Sequence, residues 1–369
     1  MKKIDVLVVD DSALMRKMVS DILSSHPMIN AKDTAINGKI ALNKIKKDDY
    51  DVILLDIEMP EMDGIQFLEE YSKVGKNIPI IILSSFAKRE AEVTIKALSL
   101  GAKDFITKPS GPISMDINKV RNEIIEKVLV WGIRSSPRFG ESSKDLITVD
   151  SSLNVVKEER IVFENPSIYD VVTRKKILPR FVAIGVSTGG PPAIRKLLLE
   201  LSDGFPLGIV IVQHMPEFFT AEFAKSLSQI LPNFSVVEAR DFETISKGKV
   251  IIAKGGKHLI VNSSGGECFV RVIDDDRYIF RPSVDLLFES IASSVGKDAI
   301  GIIMTGMGSD GARGLKKFHD VGGITIAQDE KSSTIFGMPK SAIKAGAVDF
   351  VWSLDEMAGN LKKIVSLLI

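Results

Sequence analysis

Between residues 4 and 108, short apolar runs alternate with segments whose apolar residues recur at helical spacing. Three of these runs are apolar at every position rather than at every second one, which is typical of strands buried on both faces of a parallel sheet, and residues 104–107 show the pattern more weakly. The pattern therefore predicts an α/β fold in which strands and helices take turns. The predicted strands are residues 6–9, 52–55, 80–83 and 104–107, and the predicted helices are residues 12–25, 38–47, 64–74, 87–100 and 117–133.

A second alternation of strands and helices begins at Phe181 and continues to the end of the sequence. Between residues 259 and 280 the apolar positions alternate more closely, which predicts a β-hairpin inserted in the second sheet. The predicted strands are residues 181–186, 208–212, 250–253, 299–304 and 323–327, and the predicted helices are residues 191–201, 219–231, 284–295, 311–321, 338–345 and 355–368.

Residues 134–176 separate the two patterns. This segment contains seven serines, mixed charges and no apolar run longer than three residues, which is typical of a linker. We therefore predict two doubly wound parallel-sheet domains. The first covers residues 1–125, a helix and linker cover residues 126–177, and the second domain covers residues 178–369.

Composition and charge narrow the class of protein. The 369 residues are 45% hydrophobic and 26% charged, as in soluble globular proteins. Lys+Arg and Asp+Glu are both 48, so nucleic acid is not a predicted partner. Cys268 is the only cysteine, which fits a reducing compartment. No run approaches the roughly 20 apolar residues of a membrane helix, and the start does not resemble a signal peptide. We expect a cytoplasmic protein that is not inserted in a membrane.

Polar side chains follow the carboxyl ends of the four strands predicted in the first domain. Asp10 and Asp11 follow the first strand, Asp56 the second, Ser84 the third and Lys108 the fourth. Such ends line one crevice of an open parallel sheet, where ligands usually bind. Carboxylates that close together repel each other unless a cation lies among them, and Mg²⁺ takes carboxylate and phosphate oxygens.

This set of residues predicts transfer of a phosphoryl group to an aspartate. Mg²⁺ and Lys108 would neutralise the transferring oxygens, and Ser84 would hydrogen-bond the phosphoryl group of the product. For Asp10 or Asp11 taken alone, capping a helix or forming a turn is an equal alternative.

With the residues around them, these side chains resemble the receiver domain of two-component response regulators. The resemblance implies a flavodoxin-like fold in which Asp56 accepts a phosphoryl group from a histidine kinase. It also implies that Asp10, Asp11, Asp56 and the backbone carbonyl of Glu58 hold Mg²⁺. The matching stretches are Val8-Val9-Asp10-Asp11-Ser12, Leu54-Leu55-Asp56-Ile57-Glu58-Met59-Pro60, Asp63-Gly64 and Asp104-Phe105-Ile106-Thr107-Lys108-Pro109.

Three further positions match the part of a receiver that reports phosphorylation. The resemblance implies that Ser84, Phe105 and Lys108 belong to this switch, although Phe105 is equally well explained as a core residue. Receiver domains are modules, so the function depends on the second domain. No helix-turn-helix with a basic recognition helix is evident there, which argues against a DNA-binding output.

The first strand of the second domain runs into Gly185-Val186-Ser187-Thr188-Gly189. A Gly-x-Ser-x-Gly sequence is typical of a strand-turn-helix elbow that exposes a nucleophilic serine. A glycine-rich turn that offers backbone N–H groups to a phosphate is an alternative of equal weight.

A nucleophilic serine needs a base, and the chain has four histidines. His26 lies in the first domain and His319 inside a predicted helix, whereas His258 follows a turn and could line a site. His214 is better placed because it ends the strand that follows the helix after Ser187. Another strand ends in a glycine-rich turn that carries Asp310, so three parallel strands would bring a nucleophile, a base and an orienting acid together.

The chain order Ser, His, Asp differs from that of the α/β-hydrolases. The order and the surrounding motifs instead resemble the catalytic domain of chemotaxis protein-glutamate methylesterases, over about residues 178 to 369. The motifs are Gly185-Val186-Ser187-Thr188-Gly189-Gly190, Val212-Gln213-His214-Met215-Pro216, Arg281-Pro282-Ser283-Val284-Asp285 and Met304-Thr305-Gly306-Met307-Gly308-Ser309-Asp310-Gly311.

This resemblance implies a Rossmann-like serine hydrolase that needs no cofactor for the ester chemistry. The family releases methanol from glutamate methyl esters on chemoreceptors and deamidates receptor glutamines. Ser187 would be the nucleophile, His214 the base and Asp310 the orienting acid, with backbone N–H groups near Thr188 and Met307 holding the oxyanion. Phosphorylation of the receiver would relieve inhibition. The sequence ends without the aromatic C-terminal peptide that tethers some relatives to receptors. A phosphorylation-controlled protein that binds a nucleotide or phosphorylated ligand is the competing class.

Overall fold

The computed structural model describes residues 3–85, 87–108, 117–135, 147–149, 155–157 and 161–368. The chain forms two compact units, residues 1–160 and residues 161–369. Their division lies inside the predicted helix and linker of residues 126–177. Pro109 of the receiver-like motif and most of the predicted linker fall outside the described residues. Within the described part of the chain, no helix is long and apolar enough to cross a membrane.

The first unit is a five-stranded parallel sheet with strand order β2-β1-β3-β4-β5, flanked by helices. Its core consists of the apolar strand residues together with one face of the first and fifth helices. The elements are β1 Ile4–Val9, α1 Ala13–Ser24, β2 Ile29–Ala35, α2 Gly38–Lys47, β3 Val52–Asp56, α3 Gly64–Tyr71, β4 Ile80–Ser84, α4 Lys88–Ser99, β5 Asp104–Thr107 and α5 Ile117–Ser135, followed by a small antiparallel pair, β6 Ile147–Val149 and β7 Val155–Lys157.

The four strands predicted for this unit are confirmed, and the sheet has a fifth strand that the apolar runs do not predict. The missing strand is β2 at the edge of the sheet, where only the two end residues are buried. Its sequence, Ile29-Asn30-Ala31-Lys32-Asp33-Thr34-Ala35, is largely polar because one long side faces solvent. An edge strand lacks the continuous apolar run that marks the central strands.

The second unit contains a seven-stranded parallel sheet with strand order β10-β12-β9-β8-β15-β16-β17. Buried strand residues pack against helices on its faces. The elements are α6 Ile168–Lys175, β8 Phe181–Val186, α7 Gly190–Leu201, β9 Gly208–Gln213, α8 Phe219–Ile230, β10 Ser235–Glu238, β11 Glu243–Thr244, β12 Lys249–Ile252, β13 His258–Ser264, β14 Glu267–Ile273, α9 Val284–Ser294, β15 Ile300–Ile303, α10 Ala312–Asp320, β16 Ile324–Gln328, α11 Met338–Lys344, β17 Phe350–Trp352 and α12 Leu354–Leu368.

The predicted strands and helices of this unit are present, with three differences. The edge strands β10 and β17 were not predicted, because they are only four and three residues long. The predicted inserted hairpin exists as β13 and β14, and it forms a separate antiparallel sheet with β11. Helix α6 lies where a linker was predicted. Its Lys175 Nζ lies 2.6 Å from Asp349 Oδ2 and so fixes the helix to this unit.

Candidate functional site

The first candidate site lies at the carboxyl ends of β1 and β3. Each of Asp10, Asp11 and Asp56 offers one oxygen, and these three oxygens lie within 4.8 Å of one another. Asp10 and Asp56 are buried, whereas Asp11 is exposed. The parallel register causes the grouping, since β1 and β3 are neighbours and end at the same edge of the sheet.

Lys108 joins the two buried carboxylates from the end of β5. Its Nζ lies 2.9 Å from Asp10 Oδ2 and 2.8 Å from Asp56 Oδ2. The other oxygen of Asp56 accepts a hydrogen bond of 2.7 Å from the Ile57 amide. Burial raises the pKa of Asp56 to about 6, against the lowering effect of Lys108, and the charge of Asp10 adds to the increase. Asp56 therefore lies in an environment that penalises its own negative charge.

The donor atoms of this site fit a hard divalent cation. They are all carboxylate oxygens from three converging residues, the ligand type that Mg²⁺ prefers. Glu58, whose carbonyl was predicted as a further ligand, lies in the turn after β3 with its side chain exposed.

The predicted switch residues occupy the neighbouring strands. Ser84 is buried at the end of β4, and its Oγ accepts a hydrogen bond of 2.7 Å from Thr94 Oγ1. The Lys108 amide donates to the Ser84 carbonyl at 2.6 Å, which links the ends of β4 and β5. Phe105 is buried, and Lys127 from α5 donates to its carbonyl at 2.6 Å.

The second candidate site lies at the carboxyl ends of β8, β9 and β15. His214 Nδ1 is 3.1 Å from Ser187 Oγ, and His214 Nε2 is 2.8 Å from Asp310 Oδ2. The sheet positions these residues because β8 pairs with both β9 and β15 in parallel register. Two backbone bonds extend that pairing beyond the strands, from the His214 amide to the Val186 carbonyl at 3.1 Å and from the Ser187 amide to the Thr305 carbonyl at 2.9 Å.

Asp310 accepts four hydrogen bonds. Besides His214, its donors are the Ser283 hydroxyl at 2.9 Å and the amides of Val284 at 2.7 Å and Asp285 at 3.1 Å, at the start of α9. Burial alone would raise the pKa of Asp310, but the hydrogen bonds and charge of His214 and the two amides outweigh it, so the pKa lies below its ordinary value.

An ionised carboxylate can only accept hydrogen bonds, so the proton of a neutral His214 must lie on Nε2, facing Asp310. Nδ1 is then free to accept the hydroxyl proton of Ser187. This tautomer is inferred from the hydrogen-bond partners. It is the arrangement that a base needs in order to activate a serine.

Sequence reasoning missed the residues that hold this site in place. Gln213 is buried, and its Nε2 donates to the carbonyls of Ser187 at 3.0 Å and His214 at 3.1 Å. Ser283 caps α9 and anchors Asp310 at the same time. A serine before an apolar, acidic helix start is a recognisable N-cap signal, so Ser283 could have been found. Gln213 lies in a motif quoted above, but nothing in its local sequence indicates this role.

Glycine at position 306 lets the loop after β15 approach the serine. A Cβ atom at Gly306 would lie 2.8 Å from Ser187 Cβ, closer than real Cβ atoms come. Thr188 and Met307, the predicted oxyanion residues, directly follow Ser187 and Gly306. Within the described part of the chain, no hydrogen bond uses the amide of either residue.

His258, which could line the site on sequence grounds, and the neighbouring Asp285 have other partners. His258 is buried, and its Nε2 lies 2.9 Å from the Asp275 carbonyl. Asp285 Oδ1 accepts the amides of Gly311 at 3.0 Å and Gly314 at 2.7 Å, at the start of α10. Asp310, which precedes α10, thus binds the start of α9, and Asp285, in the first turn of α9, binds the start of α10.

These two sites define the class of protein. It is a response regulator with a receiver-type parallel sheet in its first unit, and its second, α/β unit holds a serine, a histidine and an aspartate in contact. Two family models match the chain: the response regulator receiver domain over residues 6–117 and CheB methylesterase over residues 182–361.

Similar proteins extend over nearly the whole chain. A protein-glutamate methylesterase/protein-glutamine glutaminase from Treponema denticola is 42% identical over 98% of both chains. Another from Geobacillus kaustophilus is 41% identical over 99% of both chains. The crystal structure of the Thermotoga maritima CheB methylesterase catalytic domain covers 51% of this chain and 98% of its own, at 36% identity and a TM-score of 0.48. The chain belongs to the protein-glutamate methylesterase/protein-glutamine glutaminase family.

Proposed function

We propose that this protein is a phosphorylation-activated serine hydrolase that removes methyl groups from glutamate methyl esters of chemoreceptors and deamidates receptor glutamines. The observation that carries the proposal is the position of His214 between Ser187 Oγ and Asp310 Oδ2. Membership of the family supplies the reaction and the substrate, since relatives that cover the whole chain carry both activities in their names.

The proposed reaction is an acyl transfer to water in two steps. Ser187 Oγ attacks the side-chain carbonyl while His214 Nδ1 takes the hydroxyl proton. The same proton passes to the leaving group, which departs as methanol from an ester or as ammonia from an amide. In the second step water gives a proton to His214 and attacks the acyl-enzyme, and Ser187 recovers the proton as the free glutamate leaves. Asp310 keeps its charge and stabilises the imidazolium that forms in each step.

The oxyanion of each intermediate is assigned to the amides of Thr188 and Met307. Thr188 follows the nucleophile, and Met307 follows the glycine whose backbone lies against the Ser187 side chain. Both amides lack a partner among the described residues, so they are available as donors. Preorganised backbone donors of this kind stabilise the developing charge without reorganisation.

In the first unit, Asp56 is the proposed phosphoryl acceptor from a histidine kinase. Asp10, Asp11, Asp56 and the backbone carbonyl of Glu58 would hold Mg²⁺, which supplies positive charge to the phosphoryl oxygens when bound. Lys108 already pairs with Asp56 and Asp10 and would follow the new charge on Asp56. Ser84 and Phe105 on the adjacent strands would respond to it.

The proposed organisation follows from these roles. A receiver covers residues 1–125, a helix and linker residues 126–177, and the methylesterase domain residues 178–369. The partners are the histidine kinase and the chemoreceptors of a chemotaxis pathway. The proposed location is the cytoplasm, where the protein would encounter the kinase and the receptors.

The triad is tested by Ser187→Ala, assayed by methanol release from methylated receptor membranes. We expect a loss of about 10⁴-fold or more, because removing the nucleophile of a serine hydrolase leaves only binding and oxyanion stabilisation. Ser309→Ala is the matched control, since Ser309 is an exposed serine of the neighbouring loop. Undiminished methanol release from the Ser187 variant would reject the proposal.

The receiver is tested by Asp56→Asn. A small phosphodonor with Mg²⁺ is expected to stimulate the wild-type enzyme and to have no effect on this variant, because an amide cannot accept the phosphoryl group. Intact-mass spectrometry follows the modification directly. Asp49→Asn, at an exposed carboxylate of the same unit, should keep the stimulation. If the Asp56 variant were still phosphorylated and stimulated, another residue would have to be the phosphoryl acceptor.

A further inference from the structure

An aromatic ring covers one face of the His214 imidazole. The ring of Phe280 stacks on it with a centroid separation of 4.5 Å and an interplanar angle of 8°. The His214 side chain is only 11% exposed, whereas Phe280 is 45% exposed. A large apolar side chain is thus kept half in solvent while one of its faces lies against the histidine.

The loop that carries Phe280 is anchored on both sides of it. Tyr278 Oη donates to Glu289 Oε2 on α9 at 2.7 Å, and the Arg281 carbonyl accepts the Gly256 amide at 3.3 Å. The preceding residue, Ile279, is 95% exposed. Of two adjacent apolar residues, one therefore extends into solvent and the other lies on His214, which indicates that the contact is specific to Phe280.

The hydrogen bonds of His214 leave one motion of its ring free. Its two nitrogens bind Ser187 and Asp310, and the line through these nitrogens is an axis about which the imidazole can still tilt. A parallel ring in contact with one face opposes that tilt. The proton path between Ser187 Oγ and Nδ1 depends on the plane of the ring, because hydrogen bonds weaken as they leave it.

The stacking contact also affects the charge state of His214. His214 becomes an imidazolium when it takes the serine proton, and the face of an aromatic ring attracts a cation. Phe280 also excludes water from this face of the histidine, which strengthens the attraction. The stack therefore favours the charged form that exists in the transition state more than the neutral form in the resting enzyme.

We infer that Phe280 is a positioning residue of the hydrolytic reaction, which holds the plane of His214 and stabilises its cationic form. The inference rests on the proposed function. The loop between β14 and α9 would then have two roles. It places Ser283 and the amides of α9 against Asp310, and it places Phe280 against His214.

The kinetic test compares substitutions at position 280. Phe280→Ala should lower kcat by about 2- to 30-fold, the range that loss of a cation–π contact produces, with KM changed less than twofold. Phe280→Tyr should restore kcat, because it keeps the aromatic face. Phe280→Leu should remain impaired, because it keeps apolar bulk without that face. Ile279→Ala is the control and should match the wild type.

The stack itself is visible by NMR. Phe280 shields protons above its face, so the Cε1 proton of His214 should move downfield in Phe280→Ala and Phe280→Leu and return toward the wild-type position in Phe280→Tyr. Four histidines make the spectrum simple, and His214→Gln identifies the resonance. An unmoved resonance in the Ala variant would show that the rings do not stack in solution and would overturn the inference.

Two kinetic outcomes would also overturn it. Wild-type kcat in Phe280→Leu would show that bulk alone suffices, and a change confined to KM would make Phe280 a substrate contact. Failure of the proposed function is distinguishable, because it requires that Ser187→Ala keep its activity. An inactive Ser187 variant beside an unaffected Phe280 series rejects only the role of Phe280.

Discussion

Asp56 and Asp310 are both buried aspartates at the carboxyl ends of parallel strands, yet their pKa values shift in opposite directions. Asp56 is held by Lys108 and one amide, and burial raises its pKa to about 6. Asp310 receives a hydroxyl, two amides and His214, and its pKa lies below the ordinary value. The number of donors aimed at the carboxylate, rather than its place in the sheet, decides the direction.

The difference suits the two proposed roles. A phosphoryl acceptor gains negative charge when it is modified, so in a site that penalises negative charge it depends on Lys108 and a bound cation to balance the product. An orienting acid must stay charged through every step, and the helix N-terminus around Asp310 makes protonation unfavourable. The same residue type and the same fold position thus serve two chemistries through their neighbours.

Among the substitutions that test this comparison of the two aspartates, the largest effect is expected from Asp310→Asn. The carboxylate accepts at both oxygens, whereas an amide of the same shape has one acceptor and would turn N–H groups toward donors. His214 would then lose the partner that fixes its proton on Nε2. We expect kcat to fall by about 10⁴-fold, as in other serine hydrolases whose orienting acid becomes an amide. The rate of methanol release from methylated receptor measures it.

Asp285→Asn is the matched control for this prediction. Asp285 lies beside the same helix junction and binds the amides of Gly311 and Gly314, without a bond to His214. Its variant should lose stability by about 1 kcal/mol, like other changes at a helix cap, and keep kcat within about tenfold. Equal losses in both variants would mean that the junction, and not the orienting bond, was being measured.

The fold follows from the sequence wherever a strand is buried on both faces. Continuous apolar runs in the sequence predict the central strands β1, β3, β4, β8, β9 and β15. Parallel topology then brings the carboxyl ends of these strands together within each sheet. The edge strands β2, β10 and β17 have polar or very short sequences, so no pattern distinguishes them from loops. Helix α6 was missed because its partner Asp349 lies far along the chain.

The sites show the same limit. Asp56, Ser187, His214 and Asp310 each follow a recognisable strand, so their meeting could be predicted from the order of elements. The contacts of Phe280 depend on the path of a loop, which local sequence does not determine. Sequence patterns therefore predict the residues at strand ends better than the residues that hold them.

The second prediction concerns pH and follows from the opposite shifts. In the first unit burial also raises the pKa of Glu126, to about 7. A carboxyl group whose folded pKa is raised holds its proton more tightly when folded, so stability falls as pH rises from about 4 to about 7. In the second unit burial raises the pKa of Asp285, but the pKa values of Asp310 and Asp349 are lowered, so the stability that these two groups contribute is lost as pH falls below about 4. The raised pKa values of Asp56 and Glu126 each correspond to roughly 3 kcal/mol of pH-dependent stability.

Two tryptophans allow the units to be followed separately. Trp131 lies on α5 of the first unit and Trp352 on β17 of the second. Urea unfolding of Trp352→Phe therefore reports the first unit, and that of Trp131→Phe the second. These groups titrate between about pH 4.5 and about pH 7.5, and over this range the urea midpoint of the first unit should decrease as pH rises. Glu126→Gln should make that decrease smaller. Parallel responses of both units would contradict the contrast between them.

The smallest expected effect is that of Ser283→Ala. The Ser283 hydroxyl donates to Asp310 Oδ1 at 2.9 Å and accepts the Leu286 amide at 3.4 Å, so its removal costs one of the four bonds to the orienting acid and the cap of α9. We expect a loss of about 1 kcal/mol in stability and a fall in kcat of about 3- to 10-fold. Ser283→Thr, which keeps the hydroxyl, should restore both.

Ser293→Ala separates the two contributions of that hydroxyl. Ser293 lies on the same helix, and among the described residues its hydroxyl bonds only to backbone carbonyls of α9, at 3.0 and 3.1 Å. It should leave kcat unchanged. If Ser283→Ala lowers the unfolding midpoint but not kcat, three donors are enough to keep Asp310 charged. A matching fall in kcat would instead show that every hydrogen bond to Asp310 helps to keep it charged and so supports His214 as the base. The larger number of such bonds would then be what separates Asp310 from Asp56.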